Sequence, residues 1–207
     1  MLRFIVPPRY TTCNAPTGST DSPENAFSNN DYPMLSRLSQ LLTPSLLVRH
    51  VTEVPATVFT ERGIRAVVTD LDNTLLPWHG DGDAAPEVLA WLAGLRDAGI
   101  GVCLASNTQR LTRLARLAKG WNIAHVPRSA NKPGTAGILH GLSLLGARQE
   151  ESAMIGDQLF TDILAGNRLG MFTVLVNPIS KQEFVGTRYI SRSLERLVLR
   201  GNRSRPE

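Results

Sequence analysis

The sequence predicts an α/β domain built on a mainly parallel sheet flanked by helices. Beyond Gly63, short apolar runs of strand length alternate with longer stretches of helical periodicity. Glycines close several of those stretches, and polar clusters follow three of the apolar runs, where a parallel sheet gathers its strand ends along one edge. The chain has 207 residues, 42% of them hydrophobic, enough for one good core but short for two full domains.

Residues 1–33 open on Met-Leu-Arg-Phe-Ile-Val, too brief for a signal-peptide core, and continue as a tract rich in Thr, Ser, Asn, Pro and Gly. Such a composition buries too little apolar area to order itself, so a disordered extension is expected, with Met34 an alternative start of translation. Asp21, Glu24 and Asp31 fit poorly with an acid-poor transit peptide. Residues 34–62 form an amphipathic lead-in: Leu35, Leu38, Leu41, Leu42, Leu46 and Leu47 recur at helical spacing, with Pro44 breaking or restarting the helix. Packing on the flank of the main domain is its expected role, with a membrane-surface or partner helix as the alternative.

The main domain spans 63–188. Apolar runs at 66–69, 100–105, 123–126, 153–155 and 172–176 predict buried strands. Helices are expected at 85–98, 109–119, 135–145 and 161–169, with Gly99, Gly120, Gly146 and Gly170 as stop signals. Residues 189–207 carry Leu194, Leu197 and Leu199 at helical spacing and then a basic tail.

The net charge of +4 is spread along the chain, and aromatics, 6% of residues, do not interleave with the basic ones, which argues against nucleic acid as a partner. Cys13 and Cys103 show neither a disulfide framework nor zinc spacing, so a reducing, cytoplasmic setting is expected. No apolar stretch approaches the roughly 18 residues that a transmembrane helix needs.

The run Ala66-Val67-Val68 delivers Asp70-Leu71-Asp72-Asn73-Thr74-Leu75 to a strand end. Two carboxylates that close repel unless a cation lies between them, and a hard, oxygen-seeking ion such as Mg²⁺ supplies it. Ser106-Asn107-Thr108 follows the next strand, Asn131-Lys132-Pro133 precedes a helix, and Gly156-Asp157 through Thr161-Asp162 follows Met154-Ile155. Together they predict a crevice holding carboxylates, a hydroxyl and an ammonium. Taken singly, each Asp or Ser is as well explained by capping a helix or closing a turn.

This order of motifs over residues 66–177 resembles the haloacid dehalogenase (HAD) superfamily of aspartate-nucleophile phosphatases. Thr69 to Leu75, Ile155 to Asp162 and Gly166-Asn167-Arg168-Leu169-Gly170-Met171 look like its YqeG-like subfamily IIIA, related to phosphatases of phosphatidylglycerophosphate. The resemblance implies a Rossmann-like domain and a Mg²⁺-dependent phosphomonoester hydrolase working through an aspartyl-phosphate. It makes Asp70 the nucleophile and Asp72 the acid and base. Asp157 with Asp70 and the Asp72 carbonyl holds the metal, with Asp162 an outer ligand or orienter. Ser106 and Lys132 bind the phosphoryl group, with Asn107 and Thr108 as lesser alternatives.

Residues 77–85 and 120–128 are too short for a large cap domain, so the site is expected to be open and suited to a bulky substrate, a lipid head group or a macromolecule. With the lead-in and the basic tail, this is compatible with peripheral contact at the inner face of a membrane. Trp78, His79, Asp81 and Asp83 border the crevice, with loop packing favoured over substrate contact for Trp78 and His79; Trp91 and Trp121 are expected to pack. His125 and His140 lack metal-ligand spacing, and Arg168 is as readily a salt-bridge or helix-end residue as a phosphate ligand. The competing readings are a receiver-like phosphoacceptor domain, a HAD phosphatase of a soluble or protein phosphate, and a non-catalytic adaptor for RNA, ribosome or a GTPase.

Overall fold

The computed structural model describes residues 3–4, 33–78 and 82–180. His79, Asp81, the expected C-terminal helix with its basic tail, and most of the N-terminal extension lie outside the described residues. Within that extension, Arg3–Phe4 form a short strand, β1, so these two residues depart from the expected disorder. Helix α1 (Pro33–Leu41) follows, and strand β2 (Leu46–Val48) comes directly after Pro44. The helix expected to restart there is a strand instead. Leu46 and Val48 alternate inward with exposed Leu47 between them, and burying Leu46 completely stabilises by about 1.5–3 kcal/mol. A 3₁₀ turn at Val51–Glu53 and helix α2 (Ala56–Thr60) add Val51, Val54, Val58 and Phe59 to the same core.

The remaining elements alternate as the sequence predicts: β3 (Ala66–Thr69), α3 (Pro86–Asp97), β4 (Gly101–Leu104), α4 (Leu111–Gly120), β5 (Ala124–His125), α5 (Ala136–Leu145), β6 (Ser152–Gly156), α6 (Leu164–Arg168) and β7 (Phe172–Val176). They build a seven-stranded sheet in the order β1-β2-β7-β6-β3-β4-β5. Every pairing is parallel except β1 with β2. No inserted cap domain occurs among the described residues.

Two details of the helices differ from expectation. α4 ends at Gly120 as its last helical residue, but the left-handed conformation falls on Asn122, at φ 54°. Gly99, Gly146 and Gly170 do take left-handed φ, as helix ends require. The stretch 161–169 is not one α-helix, because a π-turn over Leu159–Ile163 precedes the short α6.

The sheet divides two apolar layers. Val67, with α2, α3 and α4 side chains such as Leu92, Leu95 and Leu117, lies in one; Ala66 and Val68, with Ile138 and Leu142 of α5 and Ala165 of α6, lie in the other. Alternation along β3 is the two-residue period of a strand buried on both faces. Strand β4 lies on one side of β3 and β6 on the other. The direction of winding reverses at this point, where a parallel sheet leaves a crevice beyond its strand ends.

Candidate active site

Asp70 is fixed as β3 ends, its N–H donating to the Ile155 carbonyl of β6 at 2.9 Å. The chain then folds back on itself: Leu75 and Leu76 N–H groups both donate to the Leu71 carbonyl, and buried Leu71, Leu75 and Leu76 anchor the loop in the core. Asn73 takes φ 62° and accepts the Trp78 and Ser180 N–H groups on its Oδ1, at 3.2 and 3.3 Å. This loop leaves the Asp70 and Asp72 side chains on the wall of a cavity of about 460 Å³. Ser106, Asn107, Thr108, Arg110, Lys132 and Asp162 also line it.

Lys132 is the electrostatic centre of this wall. Its Nζ stands 2.8 Å from Asp70 Oδ1 and 2.6 Å from Asp162 Oδ1. Burial works to lower its pKa, but Asp162 and Asp70 outweigh that and hold the ammonium above the ordinary lysine value. Burial pushes the Asp162 carboxyl up, with the lysine opposing. The other Asp162 oxygen accepts the Gln158 N–H at 3.1 Å. That carboxyl lies over Gly156, where a β-carbon would come within 2.2 Å of Asp162 Cγ. Only glycine ends β6 without displacing Asp162.

Asp157 is completely buried, and neither carboxylate oxygen has a hydrogen-bond partner. Burial first, then Asp162 and Asp70, push its carboxyl up to about 8. An orphaned buried carboxylate facing two other acidic groups is the environment that a bound cation resolves. Asp70 and Asp157 fit a hard divalent ion completed by a backbone carbonyl, substrate oxygen and water. Among the described residues no group of three or more His, Cys, Asp or Glu converges as a metal cluster. Asp162, expected as an outer ligand or orienter, has its Oδ1 on Lys132.

Ser106 Oγ accepts the Thr108 N–H at 3.2 Å, leaving its own proton to donate into the cavity. Asn107, expected at the phosphate, lines the cavity and also holds Lys132: Oδ1 accepts the Lys132 N–H and one Nδ2 proton goes to the Lys132 carbonyl, both at 2.8 Å. Asp72 Oδ1 accepts from Arg113 Nη1 of α4 at 2.9 Å. Arg113 is absent from the sequence-level candidates, although its place four residues before Leu117 puts it on the buried face of α4.

Trp78 is exposed and lines the cavity, and its N–H is tied to Asn73. Asp83 is a tether, accepting from Trp121 Nε1 and the Ala84 N–H. Trp91 and Trp121 are buried, and Trp91 Nε1 donates to the Val54 carbonyl. His125 and His140 are half-buried and outside the cavity wall. Arg168 donates to the Pro133 carbonyl, bracing the Lys132 loop from outside, while Asn167 donates to the carbonyls of Leu41 and Thr43 at the end of α1.

The parallel sheet thus reverses direction at an Asp-x-Asp loop, with Lys132 held between two aspartates, the arrangement that the resemblance of the sequence implied, and comparison with known proteins identifies the chain as a phosphatase. Residues 29–180 match the model of the family described as mitochondrial PGP phosphatase, and the chain belongs to that family. It is 30% identical over 162 residues to the probable phosphatase YqeG of Bacillus subtilis (strain 168), covering 78% of this chain and 92% of the relative. It is 31% identical over 176 residues to phosphatidylglycerophosphate phosphatase 1, chloroplastic/mitochondrial, of Arabidopsis thaliana, covering 77% of this chain and 47% of the relative. The chain thus spans about half the length of that plant protein. A solved HAD phosphatase from Thermococcus onnurineus superposes with a TM-score of 0.41 at 22% identity, over 49% of this chain and 50% of its own.

Proposed function

We propose that this phosphatase hydrolyses the terminal phosphomonoester of phosphatidylglycerophosphate through an aspartyl-phosphate on Asp70. The observation that carries the reading is the Asp70–Lys132–Asp162 arrangement on the wall of a cavity that no inserted domain covers among the described residues. Lys132 anchors the Asp70 carboxylate and places positive charge where a phosphoryl group arrives. Asp70 attacks phosphorus, and the leaving alkoxide takes its proton from Asp72. Water then attacks the phospho-aspartate, giving a proton to Asp72 and releasing inorganic phosphate, which regenerates Asp70. Ser106 donates to a phosphoryl oxygen throughout. Asp70, Asp157 and the Asp72 carbonyl would hold Mg²⁺, which supplies the charge neutralisation that lets a carboxylate meet an anionic ester.

The lipid substrate is supported by the family and by the names of the Arabidopsis protein and of its Chlamydomonas reinhardtii counterpart. A cavity with no inserted cap among the described residues suits a head group presented by a bilayer, which implies peripheral membrane contact. No helix among the described residues is long and apolar enough to cross a membrane. The test is Mg²⁺-dependent phosphate release from phosphatidylglycerophosphate vesicles, nucleotides, sugar phosphates and phosphopeptides, beside Asp70→Asn. Preferential lipid turnover lost in the variant supports the reading; preference for a soluble or peptide phosphate contradicts the substrate, and activity surviving in Asp70→Asn contradicts the nucleophile.

A further inference from the structure

We propose that Arg113 is a positioning residue for the reaction, acting through the Asp72 carboxylate and touching no part of the substrate. The inference rests on the reading of Asp72 as the proton donor to the leaving group. Three observations carry it. First, the Arg113 side chain is only 8% exposed, a depth at which a guanidinium persists only where a partner compensates its desolvation. Second, that partner includes Asp72, whose Oδ1 accepts from Arg113 Nη1 at 2.9 Å across 41 residues of chain. Third, Asp72 lines the cavity and Arg113 does not, so the guanidinium stands behind the carboxylate instead of beside the bound ester. Arg110, one turn earlier, is the α4-side arginine on the cavity wall.

The physical need is clear from the loop. Asp72 lies in the turn that leaves β3, and an aspartate has rotamers pointing both toward and away from a leaving oxygen. A proton donor must lie within hydrogen-bond reach of that oxygen, and small displacements are costly in rate. Packing around Arg113 transmits the rigidity of α4 to this one carboxylate: Leu114, Leu117 and Ala118 seat the helix in the core. A lysine would place a point charge on a freely rotating stem; the planar fork fixes direction as well as charge.

Two esters separate this role from a merely structural one. The phenolate of p-nitrophenyl phosphate leaves without a proton, whereas the alkoxide of glycerol phosphate needs one. In the first turnover Arg113→Met is expected to slow alcohol release from glycerol phosphate roughly ten- to a hundredfold, within the usual worth of a general acid, and to leave the p-nitrophenolate burst nearly unchanged, whereas hydrolysis of the shared phospho-Asp70, which also uses Asp72, slows alike for both esters. Arg113→Lys recovers part of the loss, and in an Asp72→Asn background Arg113→Met adds nothing. Equal first-turnover losses on both esters, or losses that multiply in the double variant, would overturn the proposal. Should Arg113→Met fail to fold, Arg113→Lys and its double variant with Asp72→Asn carry the same comparison. Asp72→Asn losing equally on both esters in first-turnover release of the leaving group would overturn the proton-donor reading, and this one with it. Absence of turnover of both esters by the wild type, beside active turnover of phosphatidylglycerophosphate, moves the comparison to that lipid, where the same non-additivity decides.

Discussion

Asn107 and Lys132 hold each other at both ends of one amide, Lys132 N–H to Oδ1 and Nδ2 to the Lys132 carbonyl, each at 2.8 Å. The strand-end loop after β4 thereby sets the position of the lysine that reaches Asp70. Asn107→Ala removes both bonds and is expected to cost about 1–3 kcal/mol of stability, with a larger proportional fall in kcat than in substrate affinity. Chemical denaturation beside steady-state kinetics checks this; unchanged stability would show that the loop holds itself.

Lys132→Met leaves Asp70 and Asp162 facing each other without the ammonium between them. Breaking a buried pair in this way costs about 3–5 kcal/mol near neutral pH, and activity is expected to vanish. Without the lysine the burial that already raises Asp162 goes unopposed, so the loss of stability should shrink as the pH falls and that carboxyl takes up a proton. A destabilisation independent of pH would contradict the charge argument.

Gly156→Ala tests the packing that seats Asp162. The new methyl would meet the Asp162 carboxyl at 2.2 Å, so either β6 or Asp162 moves. A loss of about 1–3 kcal/mol is expected together with strongly reduced turnover. Gly94 is the control: a β-carbon there would have no neighbour within 4 Å, and Gly94→Ala should be neutral or stabilising.

Asp157 makes the stability of the metal-free protein depend on pH. Its carboxyl is pushed up to about 8, whereas an unfolded aspartate titrates near 4. Between those values the folded chain holds a proton that the unfolded chain has lost. Its stabilisation is full below about pH 4 and is lost as pH rises through about 8, by at most about 1.4 kcal/mol per pH unit. Asp157→Asn, measured in chelator, should flatten the thermal-stability profile over that window. Parallel profiles for variant and wild type would place the burden elsewhere.

Strand β3 was legible residue for residue because Ala66 to Thr69 is an apolar run bounded by charge and buried on both faces. Strand β7 was equally plain. β2 was not: Leu46-Leu47-Val48 is too short for a period to distinguish helix from strand, and its conformation is decided by pairing with Val174 to Val176. At the site, the order of polar clusters brought Asp70, Asp72, Ser106, Lys132 and Asp162 to one cavity. Roles that depend on distance were hidden. The bonds by which Asn107 holds Lys132 have no signal in the sequence, and Arg113 reads as one more helix arginine until Asp72 is placed against it.

Phosphorylation of Asp70 during turnover is the step on which the proposed reaction depends. Wild-type protein mixed with Mg²⁺ and phosphatidylglycerophosphate vesicles, quenched in acid within the first turnover and digested for mass spectrometry, should carry phosphate on the peptide containing Asp70, and Asp70→Asn should carry none. Turnover of the lipid with no acid-stable phosphate on Asp70 at any quench time, or phosphate found on another residue, would contradict the account.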